Sequence, residues 1–373
     1  MQDIFITEID IRKVRNLENF NIELSQTEKK HLILTGKNGS GKTSLLEVLK
    51  GLFLGTSITF TTNPNTNEKI EWWTHHGVLS ASLSRRYRME DKILSAYIPA
   101  TRSLNMEIPK SIEKFDIKTS TTHIDTDLSR DFLKYIIYLD YQLLRAKTNE
   151  DKQRLQKWFD RFESALKEIY DCPELQLEPI PDDLIFKVKM PNYEPFGLNE
   201  MADGYSAFLD IVIELMLRMD NGNAVVDTDL SGIVLIDEIE THLHIELQKK
   251  VLPFLIKMFP NIQFIVSTHS PFVISSISNA VLFDLENKRR VVDLTAYSWE
   301  TIVESYFEVG LYSHEITEKF NKYKDLYYKE RSHEEEKEFF KIRMELQTVS
   351  PIQKELYTAF RQMELKLSGK AGM

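Results

Sequence analysis

Cysteine is nearly absent from this sequence: Cys172 is the single example in 373 residues. That excludes an intrachain disulfide framework and any cysteine-rich zinc site, and it fits a reducing compartment. Long apolar runs are missing too, since no stretch approaches the roughly 20 residues that a bilayer-spanning helix needs. The opening residues, Met1-Gln2-Asp3-Ile4, carry neither the basic nor the apolar region of a secretion signal. Surplus positive charge is also lacking, because 57 acidic residues outnumber 47 basic ones and leave a net charge of −10. This balance argues against a protein that coats nucleic acid non-specifically, while leaving room for a local basic groove. What remains is ordinary for a folded protein in water, at 42% hydrophobic and 28% charged residues. The length allows two or three compact units. A cytoplasmic protein with no membrane partner is the expectation.

Against this background one stretch organises the chain. Gly36-Lys37-Asn38-Gly39-Ser40-Gly41-Lys42-Thr43 satisfies G-x-x-x-x-G-K-[ST] in full. The apolar run His31-Leu32-Ile33-Leu34-Thr35 before it reads as a buried strand, and Ser44-Leu45-Leu46-Glu47-Val48-Leu49 after it is rich in helix formers. Strand, glycine loop and helix form the geometry of a phosphate cradle. The glycines let backbone N–H groups turn inward, and the helix N-terminus adds its positive end. Lys42 would reach the β- and γ-phosphates, and the Thr43 hydroxyl would bind Mg²⁺. A chance glycine-rich turn would not require every fixed position and both flanks. The spacing predicts a nucleoside triphosphate site built from Gly36, Asn38, Gly39, Ser40, Gly41, Lys42, Thr43 and Ser44.

A second apolar run, Gly232-Ile233-Val234-Leu235-Ile236, ends in Asp237-Glu238. An aspartate at a strand tip suits the Mg²⁺ shell, the Walker B role, and the adjacent Glu238 points elsewhere and can polarise an attacking water. A third, Ile262-Gln263-Phe264-Ile265-Val266-Ser267, leads into Thr268-His269-Ser270-Pro271, where the His269 imidazole can hydrogen-bond a γ-phosphate and position water. His242 and His244 stand two apart at the start of an expected helix, so they diverge and are rejected as a metal pair.

The rest of the chain gives a coarse outline. Residues 4–12 and 17–24 alternate apolar and polar and predict two antiparallel strands; 78–88, 93–99 and 184–190 predict further strands. Residues 55–77 show no clear period. From 124 to 172 the spacing turns helical, with Asp127 or Ser129 as candidate caps and Thr148-Asn149-Glu150-Asp151 as the break between two helices. Residues 205–219 predict an apolar helix. After 298 the pattern is helical again, and Arg331-Ser332-His333-Glu334-Glu335-Glu336 reads as a solvated helix face. The expected organisation is an N-terminal lobe with the phosphate loop (1–123), an inserted helical hairpin (124–175), a C-terminal lobe (176–297) and a helical extension (298–373).

The phosphate loop, the Asp237-Glu238 pair and Ser267-Thr268-His269-Ser270-Pro271 together resemble the ABC-type ATPase superfamily, on the branch of RecF and SMC heads. More narrowly, Ile236 to His244 resembles the "DEPExHLHP" block of the OLD-like (overcoming-lysogenization-defect) ATPases. Lys13-Val14-Arg15-Asn16-Leu17 is similar to their "NFRNL" element, and Tyr97-Ile98-Pro99-Ala100-Thr101-Arg102 to their "YIPAER" strand. The resemblance implies an α/β ABC-type P-loop head, a mixed β-sheet with flanking helices. It implies two heads closing head to tail around two ATP molecules, so the partner would be a second copy or a larger homo-oligomer. Asn199-Glu200-Met201-Ala202-Asp203-Gly204-Tyr205-Ser206 resembles the branch's "LSDGYRS" signature, from which Gly204 would touch the γ-phosphate in trans. Ala202 departs from it, standing where a serine would donate a hydrogen bond. Ile239 and Ile245 replace prolines, and no Q-loop glutamine is assigned. Arg15 and Arg102 are placed near the nucleotide.

OLD-like proteins often continue into a Toprim nuclease, whereas Ser298–Met373 is expected to be too helical for one. Stand-alone ATPases of this kind occur in bacterial anti-phage systems of the Septu, PARIS and retron types. The resemblance therefore implies a slow ATPase without nuclease activity of its own, acting as scaffold for a separately encoded effector, expected to be a nuclease. The alternative is a RecF-like repair clamp that binds DNA when ATP is bound, with Arg85, Arg86, Arg88 and Lys92 as its basic patch. A transporter subunit is disfavoured by the signature, the missing Q-loop and the helical tail.

Overall fold

A computed structural model of the chain describes residues 4–54, 58–61, 69–74, 77–83, 94–102, 106–113, 129–220, 230–291, 295–297, 301–302, 314–329, 331–347, 360 and 363. The chain divides into two compact units, Met1–Ala296 and Tyr297–Met373.

In the larger unit, β1 (Ile6–Val14) and β2 (Leu17–Glu23) form an antiparallel hairpin that sets Ile9 opposite Ile22 and Val14 opposite Leu17. Period-two alternation puts Ile9, Ile11 and Ile22 on one buried face. Three more strands complete a five-stranded sheet in the order β2-β1-β6-β5-β4: β4 (Ile58–Thr61), β5 (Lys69–Thr74) and β6 (Gly77–Leu83). Two of these lie in the stretch that showed no period. Both are short, and the Trp72-Trp73 doublet breaks the alternation.

The second sheet has six strands in the order β14-β13-β3-β12-β11-β7. The strands β3 (His31–Thr35), β7 (Leu94–Ile98), β11 (Gly232–Ile236), β12 (Ile262–Ser267) and β13 (Ala280–Asp284) run parallel, and β14 (Arg289–Val291) closes one edge antiparallel. Every residue of β3, β11 and β12 is buried, as continuous apolar strands covered on both faces should be. The unit's helices include α1 (Lys42–Leu54), α2 (Phe132–Leu144), α3 (Asn149–Ile169), α4 (Asp203–Met219), α5 (Ile245–Met258) and the short α6 (Pro271–Ile274). Helix α4 is buried along most of its length, which accounts for its apolar sequence. Helix α5 begins at Ile245 with His244 as its N-cap, so the two histidines stand at its start as expected. One core joins the two sheets, drawing Ile9 and Ile11 together with Leu34, Leu235 and Ile265. A buried amide reinforces that junction. Gln263 of β12 accepts from the Ile6 N–H (2.7 Å) and donates back to the Ile6 carbonyl (2.9 Å).

Helices α2 and α3 form a hairpin around Phe132, Trp158 and Phe162, with the Phe132 and Phe162 centroids 5.1 Å apart. Thr148 caps α3 by accepting from the Asp151 N–H at 3.1 Å. The start of α2 differs from expectation. Ser129 opens a 3₁₀ turn through Asp131, Asp131 occupies the cap position without a side-chain capping bond, and Asp127 lies outside the described residues. A three-stranded sheet follows, formed by β8 (Gln176–Ile180), β9 (Ile185–Lys189) and β10 (Phe196–Gly197). In the smaller unit, helices His314–Tyr328 and His333–Gln347 enclose stacked Tyr323 and Phe339, 5.0 Å apart. The charged run before the second helix is its start: Ser332 Oγ accepts from the Glu335 N–H and the Glu335 carboxylate accepts from the Ser332 N–H. No helix among the described residues is long and apolar enough to cross a membrane.

His31 makes the junction of β3 and β12 sensitive to pH. Its Nδ1 accepts from the Phe264 N–H at 3.0 Å, and burial, helped by Lys29 and Lys30, pushes its pKa down to about 4. Between that value and the ordinary one the unfolded chain binds the proton and the folded chain does not, so stability falls as pH falls. We expect the loss from pH 7 to pH 5 to exceed that of His31→Asn by about 2 kcal/mol in urea unfolding. Identical pH dependence in the two proteins would contradict this.

Candidate nucleotide site

Parallel strands bring their carboxyl ends to one edge of a sheet, and that edge is where α/β folds build sites. Here β3 delivers the loop Gly36–Thr43, β11 delivers Asp237 and Glu238, β12 delivers His269, and β7 delivers the segment reaching Arg102.

The loop depends on glycine for its shape. Gly36, Gly39 and Gly41 have φ of +128°, +82° and +101°. A Cβ on Gly41 would stand 2.9 Å from Leu17 Cγ and 3.1 Å from Asn16 Oδ1, because the β1–β2 turn leans on the loop. From that turn Asn16 donates to the Gly39 carbonyl at 3.2 Å. Arg15 reaches the N-terminus of α1, donating to Ser44 Oγ at 2.9 Å and to Glu47 at 3.0 Å. Lys42 is buried, and its ammonium donates to the carbonyls of Gly36 (2.8 Å) and Lys37 (3.2 Å). Burial pushes its pKa down, opposed by Glu238, Glu240, Asp237 and Asp284 around it. Asn38, Gly39 and Thr43 are exposed, so the loop's outer rim is open to a ligand.

Opposite the lysine, Asp237 is buried and its carboxylate accepts from the Ser267 hydroxyl. The same Ser267 oxygen accepts from the Glu238 N–H at 2.7 Å. Glu238 has φ of +43°, a left-handed conformation unusual for its type, and Thr241 Oγ1 donates to its carboxylate at 3.3 Å. Glu240 accepts from the backbone N–H of His269. Ser267 and Glu240 were not singled out in the sequence, although each sits inside a motif that was. Burial and the nearby Lys42 lower the His269 pKa against the pull of Glu240, Glu238 and Asp237.

Four side-chain atoms around this cluster are buried without a hydrogen-bond partner: Thr35 Oγ1, Ser40 Oγ, Glu240 Oε2 and His269 Nε2. Buried polar atoms of this kind cost stability unless a ligand or water satisfies them.

One expectation changes. Arg102 does not reach toward a nucleotide: it is buried beneath the Asp237–Thr241 loop, donating to backbone carbonyls there. The reason is topological, since β7 pairs parallel with β11 and ends beside the segment that follows it. Gly204, in the first turn of α4, lies against the His242–His244 turn, its built Cβ 3.2 Å from the His242 carbonyl. Ala202 is the N-cap of α4 and makes no capping bond, while Tyr205 stacks on Tyr170 with centroids 4.1 Å apart. Arg85, Arg86, Arg88 and Lys92 lie outside the described residues. Gly41→Ala should lower urea stability by about 1–3 kcal/mol through its strained φ and the Leu17 contact; an unchanged unfolding midpoint would contradict the geometry.

Comparison with known proteins places these features. The AAA ATPase domain family (AAA_15) matches residues 54–274, about three-fifths of the chain. The chain is 34% identical over 166 residues to "Retron Ec83 probable ATPase" of Escherichia coli, covering 42% of this chain and 30% of that protein. It is 24% identical over 351 residues to "Septu protein PtuA" of Bacillus mycoides, covering 86% of this chain and 47% of that one. It thus spans less than half the length of these curated relatives. A distant likeness extends to the SMC head domain from Thermotoga maritima, at 13% identity and a TM-score of 0.42 over 75% of this chain and 94% of that one. The chain belongs to the AAA ATPase domain family and is similar in sequence to a retron probable ATPase and to the Septu protein PtuA.

Proposed function

We propose that the strand-tip cluster binds ATP with Mg²⁺ and hydrolyses it, and that ATP pairs two copies of the chain to control a separately encoded effector, a nuclease, in anti-phage defence. The observation that supports the site reading best is the set of buried, unpartnered polar atoms around Lys42, of which Thr35 Oγ1, Ser40 Oγ and His269 Nε2 can donate to a triphosphate.

The chemistry follows from the geometry. The Lys42 ammonium now holds the carbonyls of its own loop and would exchange them for β- and γ-phosphate oxygens. His269 Nε2, buried without a partner, would donate to a γ-phosphate oxygen. Glu238 would orient water for in-line attack. Thr43 and Asp237 are the residues that would hold Mg²⁺. No trio of His, Cys, Asp or Glu that could hold a metal exists among the described residues, which suits an ion bound through few protein ligands, phosphates and water. Bound there, it would offset part of the negative charge of four surrounding carboxylates and a triphosphate. Arg15, at the N-terminus of α1, flanks the same phosphate loop.

Gly204 is the candidate for contact in trans. The N-terminus of α4 has no side-chain cap, and its Ala202 and Asp203 are exposed, so backbone donors there are open to a phosphate on a second copy. Membership of the AAA ATPase domain family and relatedness to Septu and retron proteins support the defence role.

Mass measurement of the purified protein tests this reading. Glu238→Gln with ATP and Mg²⁺ should accumulate a dimer or larger assembly that disperses when ATP is removed; a monomer under both conditions would overturn the pairing. Ala202→Ser restores a cap and a donor, and should tighten ATP-dependent pairing by about tenfold, the worth of one such hydrogen bond. No change in the dimerisation constant would remove Ala202 from the contact.

A further inference from the structure

Arg102 is the most elaborately held cation among the described residues that the proposed chemistry does not use. It follows the end of β7, and its side chain is buried. One Nη donates to the carbonyls of Pro99 (3.1 Å) and Asp237 (3.0 Å); the other donates to Glu238 (2.8 Å) and Ile239 (3.2 Å), with Thr241 at the limit of 3.5 Å. These acceptors are backbone carbonyls, and four of them belong to the five residues Asp237–Thr241.

A buried guanidinium is costly, and here neutral carbonyl dipoles share in balancing it, alongside the charges of Asp210, Glu240, Asp237 and Glu238. What the arrangement achieves is geometric. Carbonyls of successive residues converge on one donor only when the backbone turns sharply, and the turn occurs at Glu238, with its φ of +43°. On the other side, the Glu238 N–H is held by Ser267 Oγ at 2.7 Å. Both polar groups of the Glu238 peptide backbone are thus gripped, one by Ser267 and one by Arg102. That fixes where the carboxylate departs from the chain.

We infer that Arg102 is a positioning residue for Glu238: it clamps the Asp237–Thr241 backbone in its left-handed turn and so aims the Glu238 carboxylate at the phosphate site. This rests on the ATPase reading of that site. Only the planar fork of arginine offers donors spread widely enough; a lysine ammonium is a point and cannot span the set. The clamp touches no nucleotide, so its loss should spare binding and impair turnover.

The test is steady-state ATP hydrolysis with nucleotide affinity measured separately by fluorescent ATP, for wild type, Glu238→Gln, Arg102→Lys and Arg102→Gly. Arg102→Lys should lose about a hundredfold in kcat, the cost of a roughly 1 Å misplacement of a reacting group, with KM and nucleotide affinity within about threefold of wild type. Millimolar guanidinium should restore part of the turnover to Arg102→Gly and none to Glu238→Gln. Wild-type kcat in a folded Arg102→Lys, or a parallel loss of nucleotide affinity, overturns the inference. Failure of both Arg102 variants to fold does so as well, since the residue would then serve the fold. Turnover unaffected by Glu238→Gln would instead overturn the ATPase reading itself.

Discussion

Five parallel strands place their carboxyl ends along one edge, and that constraint governs everything proposed for this chain. Strand direction is set by the crossovers between strands, and burial on both faces fixes register, because a slip would carry an apolar face into solvent or a polar end into the core. With β3 central, flanked by β12 and β13, the glycine loop emerges in the middle of the edge. Asp237 and His269 arrive from strands on the same side of it. The fold thereby brings chemistry-bearing residues more than two hundred positions apart in sequence into one cluster.

That cluster is unbalanced electrostatically. Asp237, Glu238, Glu240 and Asp284 surround the buried ammonium of Lys42, and the Arg102 guanidinium is the other buried cation, beside three of them. Burial with Lys42 holds the His269 pKa below its ordinary value. Carboxylates this close persist because each has local donors: Ser267 for Asp237, Thr241 for Glu238, the His269 amide for Glu240, and the backbone amides of Glu286 and Asn287 for Asp284. A triphosphate alone would worsen the imbalance. A divalent cation bound with it, as proposed above, would offset part of that added negative charge and bridge it to the carboxylates.

Much of this arrangement was legible in the sequence because it is local. The glycine loop with its flanks, and each apolar run with the polar residues at its end, is read within a window of about ten to fifteen residues, and the strands they predict are present. The alternation of β1 and β2 was equally plain. What could not be read depends on distant partners. The role of Arg102 is set by carbonyls some 135 residues away, and nothing in Tyr97–Arg102 marks it as facing a loop in place of a ligand. Ser267 looked like one more polar residue at a strand end, yet it bonds both Asp237 and the Glu238 backbone. Strand β4 was missed because it is only four residues long, and β5 and β8 because the Trp72-Trp73 doublet and Pro179 mask period two. The cap expected for α2 failed because a 3₁₀ turn intervenes.

The most direct measurement is an experimental structure of the chain with ATPγS and Mg²⁺. The account predicts a γ-phosphate oxygen within hydrogen-bond reach of both Lys42 Nζ and His269 Nε2, with Asp237 and Thr43 beside the metal and Glu238 still in its left-handed turn. A nucleotide bound away from the strand tips, or a γ-phosphate that leaves Lys42 on the carbonyls of Gly36 and Lys37, would contradict it.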